Sequence, residues 1–284
     1  MTKRIKGFDV LTQRAKTLDD SKIILVRERY SPLIISLPHS GTWIPDTTKA
    51  HLEHSRLLLL DTDLLTDQIF EPATRSCSSI KTSANPYVVN CNRGFTKPTL
   101  PLIPSQLLSG TATLLHPYTK AEQTHILSTY YQAYHKSLQQ LIRQARKNFG
   151  FALVIDGHGM GRTGAVHTKD PGGMRPDMAI GDNFGRSANK IISQALSAHL
   201  EASGYRPAHN KPYSGGHITR AYGDPKNRIY VVQIELAKDL YMREIETEHD
   251  LIRRPLIQTS SGLPKLKKAL TGAIQAAVRA ASVA

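Results

Sequence analysis

The stretch Phe151 to Gly164, "FALVIDGHGMGRTG", offers two chemistries at once. "GMGRTG" satisfies G-x-G-x-x-G, a dinucleotide-binding signature, whereas "DGH" places a carboxylate and an imidazole at the end of an apolar run, as a metal site would. The phosphate reading needs a helix whose N-terminus meets the pyrophosphate directly after the glycines. Here "AVHTKDPGGMRP" follows Gly164, with proline and paired glycine where that helix should run, so the signature fails in its context. The metal reading finds company elsewhere in the chain. "SLPHSG" ends another apolar run with His39, "QIEL" puts Glu235 late in a third, and "LLLLDTDLLTD" sets Asp61 and Asp63 at the mouth of a helix. One such histidine is usually structural and one such aspartate usually a cap. Together, at the carboxyl ends of strands, they occupy the edge where open α/β sheets build their sites. Two imidazoles and one carboxylate suffice to hold a catalytic Zn2+ with a position left open.

The elements that must present these residues are legible as short β-branched runs alternating with helical patterns. "KIILVR", "PLIISLPH", "PYVVNCN", "FALVIDGH" and "RIYVVQIEL" read as strands, apolar enough to be buried on both faces. From Lys120 to Asn148, the residues Ile126, Tyr130, Tyr134, Leu138, Leu141 and Ile142 recur at helical spacing. A second helix runs through "GRSANKIISQALSAHLEA", with Asp182 or Asn183 placed to cap it, and "LPKLKKALTGAIQAAVRAA" gives a C-terminal one. The alternation predicts a single α/β domain over residues 1–284, three-layer α/β/α. Two segments break the rhythm: residues 96–117 carry four prolines, and "TGAVHTKDPGGMRP" at 163–176 is rich in Gly and Pro. Loops of that length usually cover a site.

Composition narrows the classes. The 284 residues are 40% hydrophobic and 21% charged, and no run approaches membrane-spanning length. Cys77 and Cys91 are too few for a disulfide framework or a thiolate metal site, and the basic start lacks the apolar core of a secretory signal, so a reduced cytoplasmic setting is expected. The net charge of +14 favours polyanions or small acidic ligands. Basic residues are spread along the chain, aromatics are only 6%, and nucleic-acid signatures are absent, which disfavours a nucleic-acid partner.

The segments "LPHSGTWIP", "LDTDLLTD", "YVVNCNRG", "YYQAYHKSL", "DGHGM", "RPDMAIGDNFGRSA" and "YSGGHITRAYGDPKNRIYVVQIELAKDLYM" resemble, in order and spacing, the N-formylglutamate amidohydrolase family over about residues 33–243. Residues 1–30 stand outside the match as an N-terminal extension. The resemblance implies a zinc-carboxypeptidase-like (phosphorylase/hydrolase-like) fold with a mixed, mostly parallel sheet. It implies metal-dependent hydrolysis of an N-formyl amino acid, N-formyl-L-glutamate to formate and L-glutamate, a step of histidine degradation. By motif, His39, Asp63 and His158 are implied as ligands of one Zn2+ or another divalent ion, and Glu235 as the proton shuttle. Arg93 with Asn92, and Arg220, are implied as holders of substrate carboxylates, with Asp61 and Asp156 behind the ligands. The partner is then a small acidic N-acyl amino acid, with homo-oligomerisation left open. Another N-acyl amino acid or a short acidic peptide is the alternative substrate, and a non-catalytic polyanion binder the alternative class. The chain departs from the deformylase pattern at Gly159, where a serine is usual, and in its 163–176 insertion.

Overall fold

The structure, a computed structural model, describes residues 23–52, 57–94, 102–243 and 259–284. Strands β1 (Ile24–Arg27), β2 (Leu33–Leu37), β3 (Ser78–Thr82), β4 (Ala152–Met160), β5 (Met178–Gly181), β6 (Pro207–His209) and β7 (Ile229–Ala237) join in one sheet, ordered β1-β3-β2-β4-β7-β5-β6. Neighbours from β3 through β7 are parallel, as are β5 and β6, while β1 runs against β3 and β5 against β7. The sheet is therefore mixed and mostly parallel, as expected. Its centre is β2, β4 and β7, whose continuous apolar runs are buried on both faces.

Helices cover both faces. A long helical segment lies on one face, α1 (Asp46–Lys49) follows β2 in the chain, and α2 (Thr66–Thr74) lies on the other face. The long segment runs from α3 (Lys120–Ile126) through a π-helical stretch, Leu127–Gln132, into α4 (Ala133–Phe149). Thr119 and Glu122 form a reciprocal capping box at its start, and Gly150, at φ 78°, ends it. Its helical stripe of Tyr130, Tyr134, Leu138, Leu141 and Ile142 packs on Ile34, Val154 and Val231. On the opposite face α2, α5 (Lys190–Ala202) and α7 (Leu263–Val283) cover Ile35, Leu153, Ile155, Val232 and Ile234. A short helix, α6 (His217–Tyr222), sits between β6 and β7. No described helix is long and apolar enough to cross a membrane.

Two local expectations are corrected. "PYVVNCN" is not a strand: Val88 and Val89 are buried, but Asn85 accepts from Tyr87 N through its side chain (2.9 Å) and from Val88 N through its carbonyl (2.8 Å), coiling the segment into turns after Pro86. Neither Asp182 nor Asn183 caps α5, which starts after Asn189. Instead Asp182 accepts from Gly185 N, Ser193 Oγ and Asn210 Nδ2 at 3.0, 2.6 and 2.9 Å, holding a turn in which Asn183, Phe184 and Gly185 all have positive φ. That backbone cannot belong to a right-handed helix. Of the first long loop, residues 96–101 lie outside the described residues.

The glycines of β4 serve packing. A Cβ on Gly157 would lie 2.7 Å from Phe70 Cε2 and 2.8 Å from Leu37 Cδ2. Gly157→Ala should therefore destabilise the protein by about 1–3 kcal/mol through overpacking, read as a lowered urea midpoint at unchanged m-value. An unchanged midpoint would show that Phe70 moves aside without cost.

Candidate active site

The parallel strands β2, β4 and β7 end on the same side of the sheet, and the polar residues gather there. His39 stands two residues past β2. His158 and Glu235 sit directly opposite one another near the ends of β4 and β7. With the period of two along a strand, Asp156 and Gln233 fall on the same face one step deeper. Asp63 comes from the connection between β2 and α2 and is tied back to His39 by its own amide, Asp63 N donating to His39 O at 3.1 Å. Leu65 takes a left-handed φ of 64° so that α2 can start immediately after this turn.

His39, Asp63 and His158 converge, with one donor atom from each lying within 4.8 Å of the others. Asp63 Oδ2 is 2.9 Å from His158 Nδ1 and 3.6 Å from His39 Nδ1. The far nitrogens of both rings have partners: His39 Nε2 meets Asn90 Oδ1 at 2.8 Å, and His158 Nε2 meets Asp156 Oδ2 at 3.2 Å and Asn92 Nδ2 at 2.9 Å. His39 thus has an oxygen acceptor behind its ring, and His158 has both a carboxylate acceptor and an amide donor, so that Nδ1 of each ring is left to face a common point, the orientation an imidazole ligand requires. Asp156, fully buried, also accepts from Ser36 Oγ at 2.8 Å, and Ser36 meets the Tyr134 hydroxyl at 2.9 Å. Thus the support behind His158 extends into the long helix.

Charge in this cluster is perturbed in a consistent sense. Burial raises the Asp63 carboxyl, but hydrogen bonds from His158 and His39 outweigh it and hold Asp63 well below the usual carboxylate range. For His158, burial acts downward and is overcome by the charge and hydrogen bond of Asp156 and by the bond to Asp63, so its pKa stands well above the usual value. Glu235 is pushed up to about 7, chiefly by burial, with the nearby His158 pulling down and Asp63 and Asp156 pushing up. A carboxylate poised near neutrality beside a ligand cluster is suited to proton transfer.

Gln233, which the sequence reading passed over, fixes that carboxylate. Its Nε2 donates to Glu235 Oε1 at 2.7 Å, while its Oε1 accepts from Gly216 N at 2.7 Å and Asn92 Nδ2 at 3.3 Å. The available signal was its place two residues before Glu235 in a strand, hence on the same face. Asn90, likewise missed, is two residues before Asn92 in "NCNR". Two expectations change here. Asn92 does not stand beside Arg93 as a second carboxylate holder: it is 3% exposed, its amide is spent on His158, Asp156 and Gln233, and its Oδ1 accepts from Ile218 N. Asp61 neither touches the cluster nor caps α2; it accepts from the Tyr87 hydroxyl and from Leu108 N. Its negative charge is used to anchor a loop.

That loop meets the second insertion. Leu108 O accepts from His167 N at 3.0 Å, so the 102–118 and 163–176 segments are joined to each other and, through Asp61, to the chain leading into Asp63. Beyond the cluster, Arg93 is half-buried and Arg220 exposed. Burial, then the neighbouring Arg220, lower the Arg93 pKa, whereas Glu235 raises it. Among the described residues neither arginine has a carboxylate partner. Arg175, by contrast, is gripped bidentately by Asp170 at 2.7 and 2.8 Å and lies over the Tyr213 ring. At Gly159 a Cβ would lie 2.6 Å from Tyr241 Oη, so a serine there would require the Tyr241 side chain to move.

Comparison with known proteins places the chain in a family. A model of the family described as N-formylglutamate amidohydrolase matches residues 31–242. N-formylglutamate deformylase of Pseudomonas putida is 31% identical over 235 residues, covering 79% of this chain and 87% of the relative. The enzyme of the same name from Pseudomonas aeruginosa is 31% identical over 223 residues, 75% and 83% of the two chains. In fold, the crystal structure of N-formylglutamate amidohydrolase from Ralstonia eutropha JMP134 superimposes with a TM-score of 0.78 at 22% identity, over 92% of this chain and 98% of that one. A gene product of Agrobacterium tumefaciens follows at TM-score 0.65 and 18% identity, covering 90% and 96%. With a family match spanning most of the sequence and relatives above 30% identity over three quarters of it, this chain belongs to the N-formylglutamate amidohydrolase family.

Proposed function

We propose that the protein is a metal-dependent amidohydrolase that cleaves N-formyl-L-glutamate to formate and L-glutamate. The observation that carries the reading is the convergence of His39, Asp63 and His158 beside buried Glu235, in a chain of this family. The donor set of two imidazole nitrogens and one carboxylate, both rings braced from behind, fits Zn2+ with a position left open. When bound, such an ion polarises the formyl carbonyl and brings the pKa of water to about 7.

The chain's own residues do the rest. Glu235, ionised, accepts the proton of the attacking water and returns it to the leaving amine nitrogen, so that the amine departs neutral. Gln233 holds Glu235 Oε1 and leaves Oε2 for that exchange. Arg93 and Arg220, neither in an ion pair with a carboxylate among the described residues, would receive the substrate's carboxylates and align the amide against Glu235. A dianionic substrate also relieves the mutual repulsion of the two guanidiniums, which burial of Arg93 strengthens.

Purified protein should contain about one Zn2+ per chain and release formate from N-formyl-L-glutamate, with loss of activity on chelation and recovery on adding Zn2+. Metal-replete protein that forms no formate would overturn the substrate. Formate release at full rate after complete metal removal would overturn the metal dependence.

A further inference from the structure

Resting on that reading of the activity, the structure also separates the duties of the two arginines. Arg220 belongs to α6, and the start of this helix is fastened to the catalytic layer at two points. Gly216 N donates to Gln233 Oε1 at 2.7 Å, and Gln233 in turn holds Glu235 at 2.7 Å. Ile218 N donates to Asn92 Oδ1 at 2.9 Å, and the Asn92 amide meets His158 Nε2 at 2.9 Å. The preceding Gly215, at φ 117°, rests on β5, where a Cβ on Gly181 would come 2.7 Å from its nitrogen. Arg220 then folds back so that Nη1 donates to Gly215 O at 2.6 Å. Its guanidinium is thus referenced to Glu235 and His158 through backbone and buried amides, with little freedom to drift.

Arg93 occupies the inner position. It directly follows Asn92, its carbonyl accepts from the Tyr131 hydroxyl at 2.7 Å, and it is half-buried, while Arg220 is at the exposed rim. An N-formyl amino acid has its α-carboxylate one carbon from the reacting nitrogen and any side-chain carboxylate farther out. The inner guanidinium matches the first and the outer one the second. We propose that Arg220 is the residue that selects an acidic side chain on the substrate, binding the distal carboxylate of N-formyl-L-glutamate while Arg93 binds the α-carboxylate.

The test compares Arg220→Gln and Arg220→Lys with wild type on N-formyl-L-glutamate and N-formyl-L-glutamine, which have equal length and differ in one charge. Wild type should prefer the glutamate substrate. In Arg220→Gln, kcat/KM should fall about 30-fold more for N-formyl-L-glutamate than for N-formyl-L-glutamine, chiefly through KM, because a charge-assisted contact is lost on one substrate only. Arg220→Lys should retain part of the preference, since charge is kept and the planar fork is not. Equal losses on both substrates, or a glutamate preference that survives Arg220→Gln, would overturn the assignment. So would a wild type that turns over both substrates equally. A wild type that releases formate from neither would instead bring down the deformylase reading, and the assignment with it.

Discussion

Glu235→Gln should lower kcat by about a thousandfold while leaving the metal content of the purified protein unchanged. The substitution is nearly isosteric, and the hydrogen bond from Gln233 can still be accepted by an amide oxygen, so the ligand cluster is not disturbed. What disappears is the carboxylate proposed above to accept and return the proton. The sign of the pH dependence follows. In the proposed mechanism Glu235 acts as the ionised base, so kcat/KM should fall as pH drops through its pKa, which burial has moved up toward about 7. Stability runs the other way: a carboxyl whose folded pKa is raised contributes stability at low pH that is lost as pH rises through the folded value. Metal-free Glu235→Gln should therefore melt at a higher temperature than metal-free wild type at pH 8, and the difference should vanish near pH 4. Retention of full activity by this variant would remove Glu235 from the proton path.

Asp63→Asn should have the second large effect, on metal affinity. Losing a residue that merely orients a ligand costs roughly 10–100-fold, so losing the single carboxylate donor of the cluster should exceed about 100-fold. Competition with a chelator of known affinity would measure it. In the metal-free state the same variant should cost about 3 kcal/mol at neutral pH, because buried His158 loses one of its two carboxylate partners. A depressed carboxyl pKa gives stability that is present at neutral pH and lost as pH falls through the folded value, so the difference from wild type should shrink in acid. An Asp63→Asn protein that binds Zn2+ as tightly as wild type would show that the three side chains are not a metal site.

Much of this was readable before any coordinates, for reasons that differ by element. The central strands announce themselves because β2, β4 and β7 are buried on both faces, and only apolar β-branched runs satisfy that. The edge strand β1 was also legible, as "KIILVR", but three others were not: β3 alternates with polar residues, β5 has four residues and β6 three, too short for a period to register. "PYVVNCN" misled because its valines are buried by a turn instead of a sheet, and burial alone does not distinguish the two. At the site, His39, His158 and Glu235 were visible as polar residues stranded at the ends of apolar runs. Gln233, Asn90 and the true duty of Asn92 were not, since an amide that links other side chains has no motif of its own and depends on contacts made across the sequence. Asp61 and Asp63 are chemically alike and two apart; only the turn after Asp63, with Leu65 in its left-handed conformation, decides which one faces the histidines.

The pairing of His158 with Glu235 across β4 and β7 makes the reactive centre hostage to parity. In each strand the polar pair lies on one count, Asp156 with His158 and Gln233 with Glu235, while the residues between them, Gly157 and Ile234, face the other way. A slip of one residue between neighbours would turn an entire strand over, swinging the imidazole or the carboxylate into the layer of leucines and isoleucines beneath α7 and driving aliphatic side chains out among the amides. No partly correct version of this centre exists. A misregistered molecule is simultaneously inert and poorly folded, so whatever rejects the badly packed chain also rejects the inactive one.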